Sequence, residues 1–331
     1  MNTHNSRFRL PFVLGLVFMA LLTACGGGDD AVARADKFTV GVLNSAPYMS
    51  VMVVNFQAGL AQMGYIEGQN VTYIYDADVT PDTLSEAAEA LVKADVDIIM
   101  ATGVEETLAA QAVAGDIPII FGSSNDPVAD GLVEDLRNPG KHTTGVRSGG
   151  FNQRRLQLLA ELNPTEIRKI YVLYSPFADD PGEMRAELGA VASSLGVDLI
   201  MAEVTHPQSL QEAIQSMPED TDALFIGSYS VLAYEEAVMQ AAIEHKLPTS
   251  TPVVDLDASG PLMGYGADAP AIGNQVARLA DQILKGTDAT EVPVEDAQYF
   301  MTLNLTAAEA IDFEIPEKLL EQADNIIRET A

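Results

Sequence analysis

From Phe38 onward the apolar residues follow two alternating rhythms. Short runs of aliphatic and β-branched residues occupy 38–43 (FTVGVL), 71–75, 97–100 and 118–121. Such unbroken runs mark strands covered on both faces. Between them, helical periodicity predicts helices over 51–63, 82–93 and 105–114, the first ended by Gly64 and the third by Gly115. A second series follows, with helices over 151–162, 181–195, 210–216 and 230–244 and strands over 169–174, 198–203, 223–227 and 248–251. This rhythm predicts an α/β fold of two successive Rossmann-like, doubly wound lobes. Four helix starts fit a capping box, beginning at Thr102, Asp180, Ser209 and Thr306, each with Glu three residues on. Pro181 suits a first helical turn.

The first residues read as an address rather than as fold. Arg7 and Arg9 precede an apolar run over 10–22 that is too short for a transmembrane helix. Leu22-Thr23-Ala24-Cys25 then resembles a bacterial lipoprotein box. Cys25 is the only cysteine, so it has no internal disulfide partner, and it falls where a lipid attachment needs a thiol. The expectation is a cleaved leader at 1–24 and an acylated Cys25, followed by a flexible tether over 25–36.

Composition narrows the function. Of 331 residues, 47% are hydrophobic, enough for more than one core. With 18 basic against 48 acidic residues the formal charge is −30. That surface repels phosphate backbones and anionic lipid, which argues against nucleic-acid binding and leaves the lipid anchor as the membrane contact. Among the four histidines no pair has metal-ligand spacing, so no metal site is expected. No nucleophile elbow, phosphate loop or dinucleotide fingerprint appears, and no cofactor is implied. Paired carboxylates such as Glu105-Glu106 are accounted for by helix capping. The pattern favours a binding protein over an enzyme.

Ligands of open α/β sheets sit beyond the carboxyl ends of the strands. That rule selects Asn44, Ser45 and Tyr48, then Thr102 and Gly103, then Ser123, Ser124, Asn125 and Asp126 in the first lobe. In the second lobe it selects Ser175, Phe177, Ser228, Tyr229 and Asp255. Hydroxyls, amides and aromatic rings suit a small polar ligand with an apolar body. Other roles compete: Thr102 is equally a helix cap, Asp126-Pro127 a turn pair, and Tyr48, Tyr174 and Tyr229 sheet-edge aromatics. These loops contain Glu105, Asp126 and Asp255 but no Lys or Arg, and Arg147 at the lobe junction is the nearest cation. A zwitterion or cation therefore fits better than a strong anion, which would call for Arg. Asp126 and Asp255 are the expected anionic anchors.

Several runs also resemble the ABC transporter substrate-binding family that includes tryptophan- and tyrosine-type transporters. They are Ile117-Pro118-Ile119-Ile120-Phe121, Asp126-Pro127-Val128, Gly131-Leu132-Val133, Asn138-Pro139-Gly140 and Thr144-Gly145-Val146. Later come Tyr265-Gly266, Ile272-Gly273, Ile283-Leu284-Lys285-Gly286, Val292-Pro293-Val294 and Leu303-Asn304-Leu305. The resemblance implies a type I periplasmic-binding-protein fold, two lobes hinged by three crossing strands, whose closure is read by ABC permease subunits. By that analogy the lobes comprise 37–146 with 265–290, and 147–264 with 291–331. The chain departs from the family pattern at Val104-Glu105-Glu106, at Ser228-Tyr229 and in the loop 44–48, so the resemblance implies fold and role but not ligand. A sensory receptor built on the same clamp, or an extracytoplasmic enzyme, are the alternative readings.

Overall fold

The computed structural model describes residues 37–328 apart from 77, 164 and 177–180. The leader, Cys25, the tether and Phe177 lie outside the described residues, as does the residue expected to cap the helix at Pro181.

The chain opens with β1 (Phe38–Leu43), α1 (Ser50–Gln62), β2 (Val71–Ile74), α2 (Leu84–Lys93), β3 (Ile98–Ala101), α3 (Val104–Gln111), β4 (Ile119–Ser124) and β5 (Thr143–Arg147). It continues with α4 (Asn152–Glu161), β6 (Lys169–Tyr174), α5 (Pro181–Leu195), β7 (Asp198–Glu203), α6 (Pro207–Ser216), β8 (Ala223–Ile226), α7 (Glu235–His245), β9 (Thr249–Thr251) and β10 (Met263–Ala267). Last come α8 (Ala269–Leu284), β11 (Glu295–Asp296), β12 (Tyr299–Asn304), α9 (Leu305–Ala310), α10 (Glu317–Leu320) and β13 (Asn325–Ile327).

The strands form two sheets, ordered β11-β5-β4-β3-β1-β2 and β13-β12-β10-β9-β8-β6-β7. All neighbouring pairs are parallel except β10 with β12. Alternate side chains along each strand feed opposite layers. Ile98 and Met100 pack with Met52, Phe56, Ile272 and Val276 on one face of the first sheet. Ile99 and Ala101 pack with Leu84, Ala88 and Leu91 on the other. The second sheet repeats the scheme, with Ile170, Val172 and Phe225 against Leu156, Leu159 and Leu188. Tyr171, Leu173 and Ile226 meet Leu210, Val238 and Met239 on its far side. Each large aliphatic side chain buried this way contributes about 1.5–3 kcal/mol. Close packing of α8 on α1 depends on Gly273, where a β-carbon would stand 2.4 Å from the Met52 carbonyl oxygen.

Three connections link the sheets: between β5 and α4, between β10 and α8, and between β11 and β12. Thus β10, with Tyr265 and Gly266, belongs to the second sheet, and the short β11 closes the edge of the first. Three expected caps are replaced by neighbours. Gly103 precedes α3 without a side-chain bond, His206 caps α6 through Ser209 N, and Asn304 caps α9 through Ala307 N. Thr102 sits one residue before Gly103, Thr306 lies inside the first turn of α9, and Ser209 instead supplies the reciprocal half of the His206 box.

Candidate functional site

In a doubly wound sheet the crevice opens where the connections leave the central pair of strands in opposite directions. In the first sheet β1 has β2 on one side and β3 on the other; in the second, β6 lies between β7 and β8. The crevices therefore lie beyond Leu43 and Ala101, and beyond Tyr174 and Ile226. The connections from β5, β10 and β11 all leave from carboxyl ends, and β12 starts at the end of β10, with Tyr299 opposite Ala267. The two carboxyl edges therefore border one cleft.

The first crevice is a web of side-chain bonds. Thr102 is buried, and its hydroxyl donates to Asn44 Oδ1 at 3.0 Å. That same oxygen accepts from Ala46 N at 3.1 Å, shaping the loop after β1. Ser45 donates twice to Glu106 Oε1, from N at 3.0 Å and from Oγ at 2.5 Å. Glu106 lies in the first turn of α3, where the helix dipole favours an acid, and is only 5% exposed. Its Oε2 fills the space where a side chain on Gly103 would begin, 3.0 Å from the position of a β-carbon.

The second crevice is plainer. The Ser228 hydroxyl is buried and accepts from Ser175 N at 2.8 Å, joining the ends of β6 and β8. Beneath it lies Arg155 of α4, fully buried, its guanidinium 3.8 Å from the centre of the Phe225 ring and donating to Asn152 Oδ1 at 2.9 Å. The loops alone show no arginine at this edge; the structure supplies one from a helix, sealed from water.

Tyr48 and Tyr229 flank the cleft from opposite lobes, 78% and 57% exposed. The Tyr229 hydroxyl is the crowded end of its ring, 3.5 Å from the Pro252 carbonyl. Burial raises its pKa, the Arg155 charge opposes the rise, and Tyr48 adds to it. At the crossing strands Tyr299 donates to the Gly149 carbonyl at 2.7 Å. Burial, reinforced by Asp296, pushes its pKa up to about 12. Gly149 is required there, because a β-carbon would stand 2.3 Å from the Asn125 carbonyl oxygen. Ser123 pairs with Ser148 at 2.7 Å, and Ser124 is turned away to Asp130 at 2.6 Å.

The two expected anionic anchors are placed differently. Asp126 is exposed at the end of β4, and its Oδ1 accepts from Val128 N and Ala129 N at 3.2 and 3.1 Å. The carboxylate is thus engaged in turn-making, within the field of Arg147, which itself pairs with Asp296 at 2.7 Å. Asp255 is not at the carboxyl edge. After β9 the chain returns across the sheet, with Pro252 against Gly266, Val253 against Gly264 and the Val254 carbonyl accepting from Thr302. Asp255 is carried toward the opposite edge and is exposed.

Glu106 and Arg155 escape the strand-end rule, and the signal that could find them is of another kind. Each is a charge on the inward stripe of its helix, Glu106 in line with Ala110 and Arg155 in line with Phe151 and Leu159. Among the described residues no group of three metal-binding side chains occurs. No helix among them is long and apolar enough to cross a membrane.

Comparison with known proteins is consistent with this geometry. A tyrosine-binding protein of Clostridioides difficile is 24% identical over 327 residues, covering 95% of this chain and 93% of that one. The ligand-free, open structure of a substrate-binding protein with adhesive properties from Clostridium difficile superposes with a TM-score of 0.75 at 23% identity, over 89% of this chain and 100% of that one. An ABC domain from Streptococcus pneumonia in complex with L-Trp gives 0.72 at 22% identity, over 88% and 100%. Both share the two-lobed fold. Residues 37–327 match the model of the family described as ABC transporter substrate binding protein, and the chain belongs to that family of solute-binding proteins, which are not enzymes.

Proposed function

We propose that this protein is the extracytoplasmic, lipid-anchored capture component of an ABC importer. It closes its lobes on one zwitterionic or cationic molecule with an apolar body, an amino acid or related amine, and passes it unaltered to the permease. The observation that carries this reading is the pair of crevices bordering one cleft, acidic in the first lobe at Glu106 and carrying the Ser228 hydroxyl in the second. An amino acid carries both complementary charges, and the rings of Tyr48 and Tyr229 offer flat walls for its side chain. The tyrosine-binding relative and the L-Trp complex support an aromatic amino acid as the first candidate. The lipoprotein box at Cys25 and family membership support export and anchoring.

The test is a thermal-shift panel of amino acids, amines, nucleobases and vitamins. A ligand at 100 times its Kd raises stability by about 2.7 kcal/mol. A response confined to phosphate, sulfate or dicarboxylates would sink the charge argument. Recovery of a chemically altered ligand would sink the binding-only reading. Cys25→Ser is expected to move the protein from membrane to soluble fraction, and continued membrane attachment would refute the anchor.

A further inference from the structure

Glu106 is more than a helix-end acid. It stands at the first lobe's crevice, is 5% exposed, and uses one oxygen for both bonds from Ser45. Its Oε2 accepts no hydrogen bond, and no Lys, Arg or His pairs with it, among the described residues. The carboxylate is held by neutral donors alone, so its charge faces the crevice unpaired, and a cation that joins it gains a charge-assisted hydrogen bond. The neighbouring site offers that cation no other acid of the same kind: Asp126 is exposed and occupied by turn amides, and Asp255 is directed elsewhere.

We infer that Glu106 is the residue that receives the cationic group of the ligand, and that it makes the first lobe select amines and reject ligands offering only a carboxylate there. Ser45 positions the carboxylate by holding Oε1, which leaves Oε2 for the ligand. Gly103 keeps the space clear, since any side chain at 103 begins 3.0 Å from that oxygen. The inference uses the amino-acid reading above for its choice of probes.

The experiment is calorimetry with L-tyrosine, tyramine (ammonium without carboxylate) and 3-(4-hydroxyphenyl)propionate (carboxylate without ammonium), on the wild type and on Glu106→Gln. Gln keeps an acceptor for Ser45 and removes the charge. The wild type is expected to bind tyrosine and tyramine and to bind the propionate at least tenfold more weakly. Glu106→Gln should weaken tyrosine and tyramine by roughly ten- to a hundredfold, the range for a charge-assisted hydrogen bond, and leave the propionate unchanged. Unchanged affinity for all three overturns the inference, and so does an equal loss for all three, the mark of a merely structural role. If Glu106→Gln fails to fold by circular dichroism, Glu106→Asp takes its place. That variant keeps the charge and should preserve the tyramine preference over the propionate, and loss of that preference overturns the anchor. A wild type that ignores tyrosine and tryptophan but takes tyramine, and loses it in Glu106→Gln, sinks the amino-acid reading and leaves the anchor standing. A wild type that takes none of the probes sinks both.

Discussion

The carboxyl ends of β1 and β3 in the first lobe and of β6 and β8 in the second are the same place in the topology, built with opposite chemistry. Each joins its two strand ends through serine. In the first lobe Ser45 donates to a charged group at the cleft, Glu106. In the second, Ser228 accepts from the Ser175 amide, and the charge, Arg155, is sealed below against Phe225. A charge at the edge of a cleft is available to a ligand, whereas a charge stacked on a ring in the core is spent on structure. Equal topology therefore does not mean equal roles, and each side of the contrast has its own measurement.

The largest effect is expected at Arg155. Truncation to Ala removes a fully buried side chain, leaves a cavity on Phe225 and strands Asn152 Oδ1. The expected loss is about 3–5 kcal/mol in urea unfolding. A loss below about 1 kcal/mol would show that the guanidinium is not structural, and the contrast between the lobes would break.

The paired serines give the next effect. Ser228→Ala leaves the buried Ser175 amide without an acceptor, an expected cost of about 1–3 kcal/mol. Ser45→Ala leaves the Ser45 amide still bonded to Glu106 Oε1, so that oxygen keeps a partner and about 0.5–1.5 kcal/mol is expected. Denaturant midpoints of the two variants, compared directly, sharpen the difference. A larger loss at Ser45 than at Ser228 would reverse it.

Much of this was legible in the residues. The strands over 169–174 and 198–203 and the helix from Pro181 fall where apolar runs and Pro at a first turn put them. The strand-end rule alone led to Ser45, Thr102, Ser175 and Ser228, because those positions follow directly from where buried runs stop. Illegible parts have physical causes. In β10 the sequence MGYGA carries two glycines, which blur the strand pattern, yet they serve close approach: β-carbons at Gly264 and Gly266 would stand 2.1 and 2.0 Å from the carbonyl oxygens of Val253 and Pro252. Without that strand the return segment is invisible, and the strand-end rule carries Asp255 from β9 into the cleft. Glu106 was hidden because an acid in a first helical turn already has an explanation. Its burial and its bonds from Ser45 set it apart from an ordinary capping acid.

Asp126 is expected to give the smallest effect, and its smallness is informative. From sequence it was the natural ammonium anchor, an acid in a loop at a strand end. In the structure Oδ1 accepts from Val128 N and Ala129 N, the geometry that an Asx residue gives to a turn. Asn presents the same oxygen to the same amides. What Asp126→Asn removes is a charge that is exposed to water and offset by Arg147, and an exposed pair of this kind is worth about 0–1 kcal/mol. The variant should keep its unfolding midpoint and bind the ligand within about twofold of the wild type, well under the 1.4 kcal/mol that a tenfold change represents. The measurement is calorimetry beside Glu106→Gln on the same ligand. A tenfold or greater loss at Asp126, with Glu106→Gln silent, would move the cation from the β1–β3 crevice to the end of β4. The acidic edge of the cleft would then be an exposed turn rather than a buried carboxylate, and the chemical difference between the two lobes would have to be drawn there.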